Sequence, residues 1–345
     1  MSLTARSTVA TLCCVSREWS KLSRRALVRD IVLRVAKQAS TLAIMAFLQR
    51  PALDDYLHHV SMLQLDLTTN ANTLHPAMDL AVAACVLRFP SLRALAISGV
   101  NAITSFPQTS QALRRSSKLQ DVLYSTTGDY QLDGDSVAFR LLQASASSLR
   151  SLELEGPFNM GSAMRRFLVS DTPQLRVLAI GEAASLVPDL GSSPVRCSAS
   201  LTELHFVASA PICAEIVRLA ICCLASSLRS LTITGKYSNA IFEGFTSTPL
   251  PALDFLGISS PDAEGCAARL EQLNAPRLEC LGISDDSVMY LRVLRMLSKG
   301  SLGQLQKVLI SDQDGDERKF VWGQAEAAFQ DLLKDRGISF QSAVF

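Results

Sequence analysis

Few residues of this 345-residue chain have the type and spacing that catalysis or metal binding requires. His58, His59 and His205 have no cysteine or carboxylate at ligand spacing, so a zinc site is not expected. The nine cysteines, at 13, 14, 85, 197, 213, 222, 223, 266 and 280, form no C-x-x-C pair. Most lie in apolar runs and read as buried, reduced thiols. Asp312-Gln313-Asp314-Gly315-Asp316 superficially suits calcium, but its glycine stands fourth where the sixth place needs it, and Gly323 replaces the bidentate glutamate. It reads as a solvated acidic turn. Thr234-Gly235-Lys236 lacks the upstream glycine of a phosphate cradle. No catalytic residue, cofactor site or metal site is therefore expected, and the chain does not read as an enzyme. The chemistry left is recognition of another polypeptide. Asp121, Ser151, Glu153, Glu155, Glu203, His205, Thr232 and Phe255 alternate with apolar residues in short segments, as the outward side chains of strands do.

Those segments recur. An apolar triad of the form L-x-x-L-x-L is read at Met62-Leu65-Leu67, Leu92-Leu95-Ile97, Leu119-Val122-Tyr124, Leu149-Leu152-Leu154 and Leu175-Leu178-Ile180. It returns at Leu201-Leu204-Phe206, Leu228-Leu231-Ile233, Leu253-Leu256-Ile258, Leu278-Leu281-Ile283 and Leu305-Val308-Ile310. Successive starts are 30, 27, 30, 26, 26, 27, 25, 25 and 27 residues apart. A period of this size means stacked supersecondary units whose apolar faces bury against one another. Each triad predicts a short strand, and the next residues predict a turn, as at Ser98-Gly99, Gly156-Pro157 and Thr234-Gly235. Helical spacing follows over Met78 to Leu87, Val137 to Ala144, Ala214 to Leu224, Ala263 to Leu273 and Val288 to Leu297. The heptapeptide Ala-Ser-Ser-Leu-Arg-Ser-Leu occurs at both 146 to 152 and 225 to 231, three repeat lengths apart, as duplication of whole repeats would leave it. Asp30 to Leu33 predicts a leading strand followed by a helix over Thr41 to Leu48; Ala325 to Lys334 predicts a helix and Ile338 to Phe340 a last strand.

The 33 basic and 32 acidic side chains give a formal charge of +1, so nothing draws the chain to nucleic acid or anionic lipid. Apolar residues make up 48%, yet no uninterrupted run reaches the roughly 18 of a membrane span. Ala210 to Leu224 comes nearest and is broken by Glu215 and Arg218. A cytoplasmic or nuclear protein is expected.

The triads resemble the leucine-rich-repeat family over roughly Ile31 to Ile310. That resemblance implies an α/β solenoid, a horseshoe of about ten to eleven repeats with a concave parallel β-sheet backed by helices. The family's Asn or Cys in the turn after the triad is replaced here by residues such as Val100, Pro157 and Ala183, which predicts less regular turns. Leu12-Cys13-Cys14-Val15-Ser16-Arg17-Glu18-Trp19 is similar to the second half of an F-box, a helical motif that in its family docks on the Skp adaptor of a cullin–RING ubiquitin ligase. The Leu-Pro-x-Glu-Leu signature of the box's front half has no counterpart in this sequence. Two expectations stay open: a substrate-recognition subunit whose concave face holds an unknown target, or an interaction scaffold without adaptor binding. In either, Leu12, Val15, Trp19 and Leu22 form an adaptor-facing or capping helix face. The expected organisation is a partial F-box-like helical segment over 1–29, the repeats over 30–311 and a cap over 312–345. Arg93, Arg150, Arg176 and Arg229, each second in its repeat, are expected along one rim.

Overall fold

A computed structural model of the chain describes residues 29–34, 46, 50–67, 76–115, 118–168, 172–181, 200–207, 221–222, 224–236, 238, 241–242, 248–260, 262–284, 287–300, 302–311 and 324–342. Leu12, Val15, Trp19 and Leu22 lie outside these residues, as do the acidic turn after Ser311 and most of the helices expected over Thr41 to Leu48 and Ala214 to Leu224. The chain is α/β. It divides into two compact units, Met1–Gly156 with Gly161–Phe167, and Pro157–Met160 with Leu168–Phe345.

In the first unit β1 (Asp30–Arg34), β2 (Met62–Asp66), β3 (Ala94–Ser98) and β4 (Asp121–Ser125) pair in chain order. After the short β5 (Tyr130–Leu132), β6 (Ser151–Glu155) pairs with β4, and every pairing in this ladder is parallel. Register joins like place to like place, Leu63 to Leu95, Leu95 to Val122 and Val122 to Leu152. These residues and Ile97, Tyr124 and Leu154 are buried. Burying one such side chain stabilises by about 2 kcal/mol, so the triads drive the stacking.

The same register corrects the first triad. Leu63 and Leu65 are fully buried and pair with Leu95 and Ile97, and Val60 precedes them in the buried place, so the unit is Val60-Leu63-Leu65. Met62 pairs with Ala94 on the outward face and is 37% exposed.

Helices lie between strands. Pro76–Val86 packs on Pro107–Arg115, and Val137–Ala144 follows, its amino end capped by the Ser136 hydroxyl, which accepts from the Phe139 N–H at 3.2 Å. The buried Asp79 of the first helix accepts from the N–H groups of Gln108 (2.9 Å) and Thr109 (2.8 Å) at the start of the second. Asp133 does the same for the next short helix, Ser162–Arg166, accepting from the Ala163 N–H at 3.0 Å. A helix start leaves unsatisfied donors, and a carboxylate borrowed from the preceding repeat removes that cost.

In the second unit β7 (Phe158–Met160) is followed by β8 (Val177–Ile180), β9 (Glu203–Val207), β10 (Ser230–Thr234), β11 (Phe255–Ser259), β12 (Cys280–Ser284), β13 (Lys307–Ser311) and β14 (Ser339–Ser342). From β8 to β14 the strands pair in chain order, all parallel. Leu204, Leu231, Leu256, Leu281 and Val308 stand side by side and are buried. Helices Ala263–Leu270, Ser287–Ser298 and Gln324–Asp335 back the later strands, and Phe329 of the last helix stacks on Tyr290 at 5.1 Å and meets Phe340 edge-on at 6.1 Å.

Two backbone devices repeat. Glycines seven places after the first residue of their triads, Gly99, Gly156 and Gly235, have φ of 71°, 100° and 96°, a left-handed turn that side chains with a Cβ resist. In place of an asparagine ladder in the turn, serines ahead of the triad bond backward: Ser148 and Ser200 donate to the carbonyls of Leu119 and Leu175 at 2.8 Å, and Ser227 to that of Leu201 at 3.3 Å.

Candidate interaction surface

Strand geometry sends the residues between the buried triad members to the opposite face of each sheet. In the first unit, β4 and β6 carry three outward rows, Asp121 beside Ser151, Leu123 beside Glu153 and Ser125 beside Glu155. The same rows continue onto β3 and β2, Asp121 beside Ala94 and Met62, and Leu123 beside Ala96 and Gln64, so the apolar Met62, Ala94, Ala96 and Leu123 lie next to the carboxylates. Glu153 is half-buried. Loss of hydration, reinforced by the negative charge of Glu155, holds its carboxyl above the usual range. Asp121 is likewise raised by desolvation, opposed by the Arg150 guanidinium. No ion pair or side-chain hydrogen bond joins Asp121, Glu153 or Glu155 to another described residue. Asp121 and Glu155 are exposed and Glu153 is half-buried, and of the three only Asp121 is drawn toward a cation, Arg150, among the described residues.

At the start of these strands the outward face turns into a cleft of about 610 Å³. Asp30, Met62, Ala94 and Asp121 of the sheet line it together with His58 and Arg93. Part of this wall is already engaged, since Arg29 lies 4.0 Å from Asp30 and donates to the Ser61 hydroxyl at 3.4 Å.

In the second unit the rows change character. Glu203, Ser230, Phe255 and Cys280 are neighbours, and the next row holds His205, Thr232, Gly257 and Gly282. Burial lowers the affinity of His205 for a proton and so favours the neutral imidazole, while the negative charge of Glu203 pulls the other way. Thr232 stands on the outward row but is only 4% exposed, and its hydroxyl has no hydrogen-bond partner. Gly257 and Gly282 are buried as well, so this row is not the open polar surface expected of alternating strand positions.

Each expected surface residue thus lies on an outward row, Asp121, Ser151, Glu153 and Glu155 in one unit and Glu203, His205, Thr232 and Phe255 in the other. The four expected rim arginines are exposed, Arg93 and Arg150 in the first unit, Arg176 and Arg229 in the second. Their carbonyls have a second role. That of Arg93 accepts from both Gln120 (2.7 Å) and Asp121 (3.1 Å), and that of Arg176 from both Thr202 and Glu203 at 2.9 Å. Sequence reasoning passed over the apolar neighbours Met62, Ala94, Ala96 and Leu123, whose signal was apolar residues at the out-facing places of β2 to β4.

Among the described residues no group of three or more His, Cys, Asp or Glu could hold a metal ion, and no helix is long and apolar enough to cross a membrane. No protein-family model matches the chain, and no curated protein matches it.

Proposed function

We propose that the chain is a protein-interaction module of the leucine-rich-repeat type, the substrate-recognition subunit of a Skp–cullin–F-box ubiquitin ligase in the cytoplasm or nucleus. In this reading each unit is a stretch of solenoid, its sheet forms the concave wall, and a target protein is held on the outward rows. The observation that carries it is the like-to-like parallel register, in which Leu204, Leu231 and Leu256 fall side by side and so do the part-exposed Glu203, Ser230 and Phe255. Register of that kind presents rows of outward side chains to a partner while the buried places stay constant. Glu153 and Glu155, in no ion pair among the described residues, suit a basic segment of the target, because complementary charge steers association and excludes wrong partners. Adaptor docking rests on Leu12, Val15, Trp19 and Leu22 alone.

Co-purification of the Skp adaptor with the full chain tests the reading. Trp19→Ala with Leu22→Ala should lose the adaptor and keep the target, whereas Glu153→Lys with Glu155→Lys should lose the target and keep the adaptor. A target retained by a chain that never binds the adaptor identifies an interaction scaffold instead. Binding of a target unchanged by the sheet substitutions would remove the concave face from the account.

A further inference from the structure

Helix Pro76–Val86 is apolar on every side. Met78, Val82, Ala83, Cys85 and Val86 are buried, and the helix's one charged residue, Asp79, is turned inward to cap the neighbouring helix. The solvent side is apolar too. Leu80 is 63% exposed, Ala84 is exposed, and Leu87, just beyond the last turn, is 54% exposed. Residues at i, i+4 and i+7 lie on one stripe, here about 10 Å long. A helix with no polar face is ordinarily covered on all sides, and a contiguous exposed apolar stripe marks a contact surface.

The end of the stripe opens into a cavity of about 280 Å³. The apolar Val86, Leu87, Phe89 and Leu92 line it together with two cations, Arg115 and Lys118. Both cations are exposed, and neither pairs with a carboxylate among the described residues. Arg88, by contrast, is already bound to Asp54. The patch is therefore apolar along its length and positively charged at one end.

We infer that this outer helical face of the first unit docks an acidic amphipathic helix of a partner protein. Its apolar side chains would seat along Leu80, Ala84 and Leu87, and its carboxylates would meet Arg115 and Lys118. A helix suits the stripe because ridges on one helix fill the spaces between side chains on another, and a stripe of this spacing matches i, i+3, i+4 and i+7 anchors. The surface is distinct from the outward sheet rows and does not depend on the function proposed for them.

The test uses the full chain and two fluorescent synthetic helices with leucines at i, i+4 and i+7, one flanked by glutamates and one by lysines. Titrated at low salt and followed by anisotropy, the glutamate peptide should bind at least ~10-fold more tightly than the lysine peptide. Arg115→Glu with Lys118→Glu should reverse that order, and Leu80→Ser with Leu87→Ser should abolish both interactions. The charge-reversed chain alters exposed residues only and keeps the test open should the serine variant fold poorly. Absence of binding, equal binding of the two peptides, or an order untouched by charge reversal would each overturn the inference. So would light scattering that shows a dimer dissolved by Leu87→Ser, because a second copy would then be the occupant.

Discussion

On the inward side the two units are interchangeable; on the outward side they differ. Leu95, Val122 and Leu152 of the first and Leu231, Leu256 and Leu281 of the second are all buried in the same place of each unit's own parallel ladder. Outward, β4 and β6 present Asp121, Glu153 and Glu155, whereas β10 to β12 present Ser230, Phe255 and Cys280 beside a covered row of Thr232, Gly257 and Gly282. Packing constrains a side chain with neighbours on every side, so inward places admit only apolar residues of suitable volume. Outward places are free of that constraint. The contrast separates the packed face of each sheet from its variable one.

The largest expected effect tests the shared half of that comparison. Leu95→Ala and Leu256→Ala should each cost about 2–5 kcal/mol in urea unfolding, since both side chains are fully buried. A large cost in one unit and none in the other would mean that the triads are not equivalent. Next comes the capping device. Asp79→Ala leaves two helix-start N–H groups without their acceptor and should cost about 1–2 kcal/mol, with faster hydrogen exchange at Gln108 and Thr109. Ser148→Ala and Ser227→Ala, one ladder bond in each unit, should cost about 1 kcal/mol apiece. Stability unchanged in both would reduce the serine ladder to an incidental contact.

The smallest effect probes the difference. Glu153 has a raised carboxyl pKa in the folded chain, so the folded state binds more protons than the unfolded state between the ordinary glutamate value and the raised one. Stability contributed by this group therefore falls as pH rises through that window, and the penalty is fully present at neutral pH. Glu153→Gln should raise the urea midpoint slightly at pH 7 and leave it unchanged well below the ordinary glutamate pKa. A lowered midpoint at pH 7 would reveal a cationic partner for this side chain and erase the contrast between the units.

The buried triads and most backing helices were legible in the sequence because packing writes a period that alternation makes easy to read. Val137 to Ala144 was read at both ends as it folds, and Ser287–Ser298 nearly so. The first triad was misplaced by two residues because Val60, Leu63, Leu65 and Leu67 are all apolar and buried, and the template fits at either of two starts. Pairing register decides between them, and one sequence carries no register. Helix Pro107–Arg115 escaped notice since it buries Thr109, Ser110 and Ala112 beside Leu113, too little apolar contrast for a helical pattern. The Asp79 cap was invisible for another reason: its partners lie 29 and 30 residues away, beyond any local motif. Of the surface, the sequence showed which residues point outward, and not that Thr232 is covered or that Glu153 is half-buried with no ion pair among the described residues.

Aspartate placed singly at each of residues 151 to 155 in β6, with the urea midpoint read for every variant, tests the central assignment most directly. Leu152→Asp and Leu154→Asp should collapse the midpoint, because each puts a charge into a fully buried site, while Ser151→Asp, Glu153→Asp and Glu155→Asp should stay close to the parent chain. Losses that fail to alternate along the strand would contradict the division into an inward packed face and an outward open one.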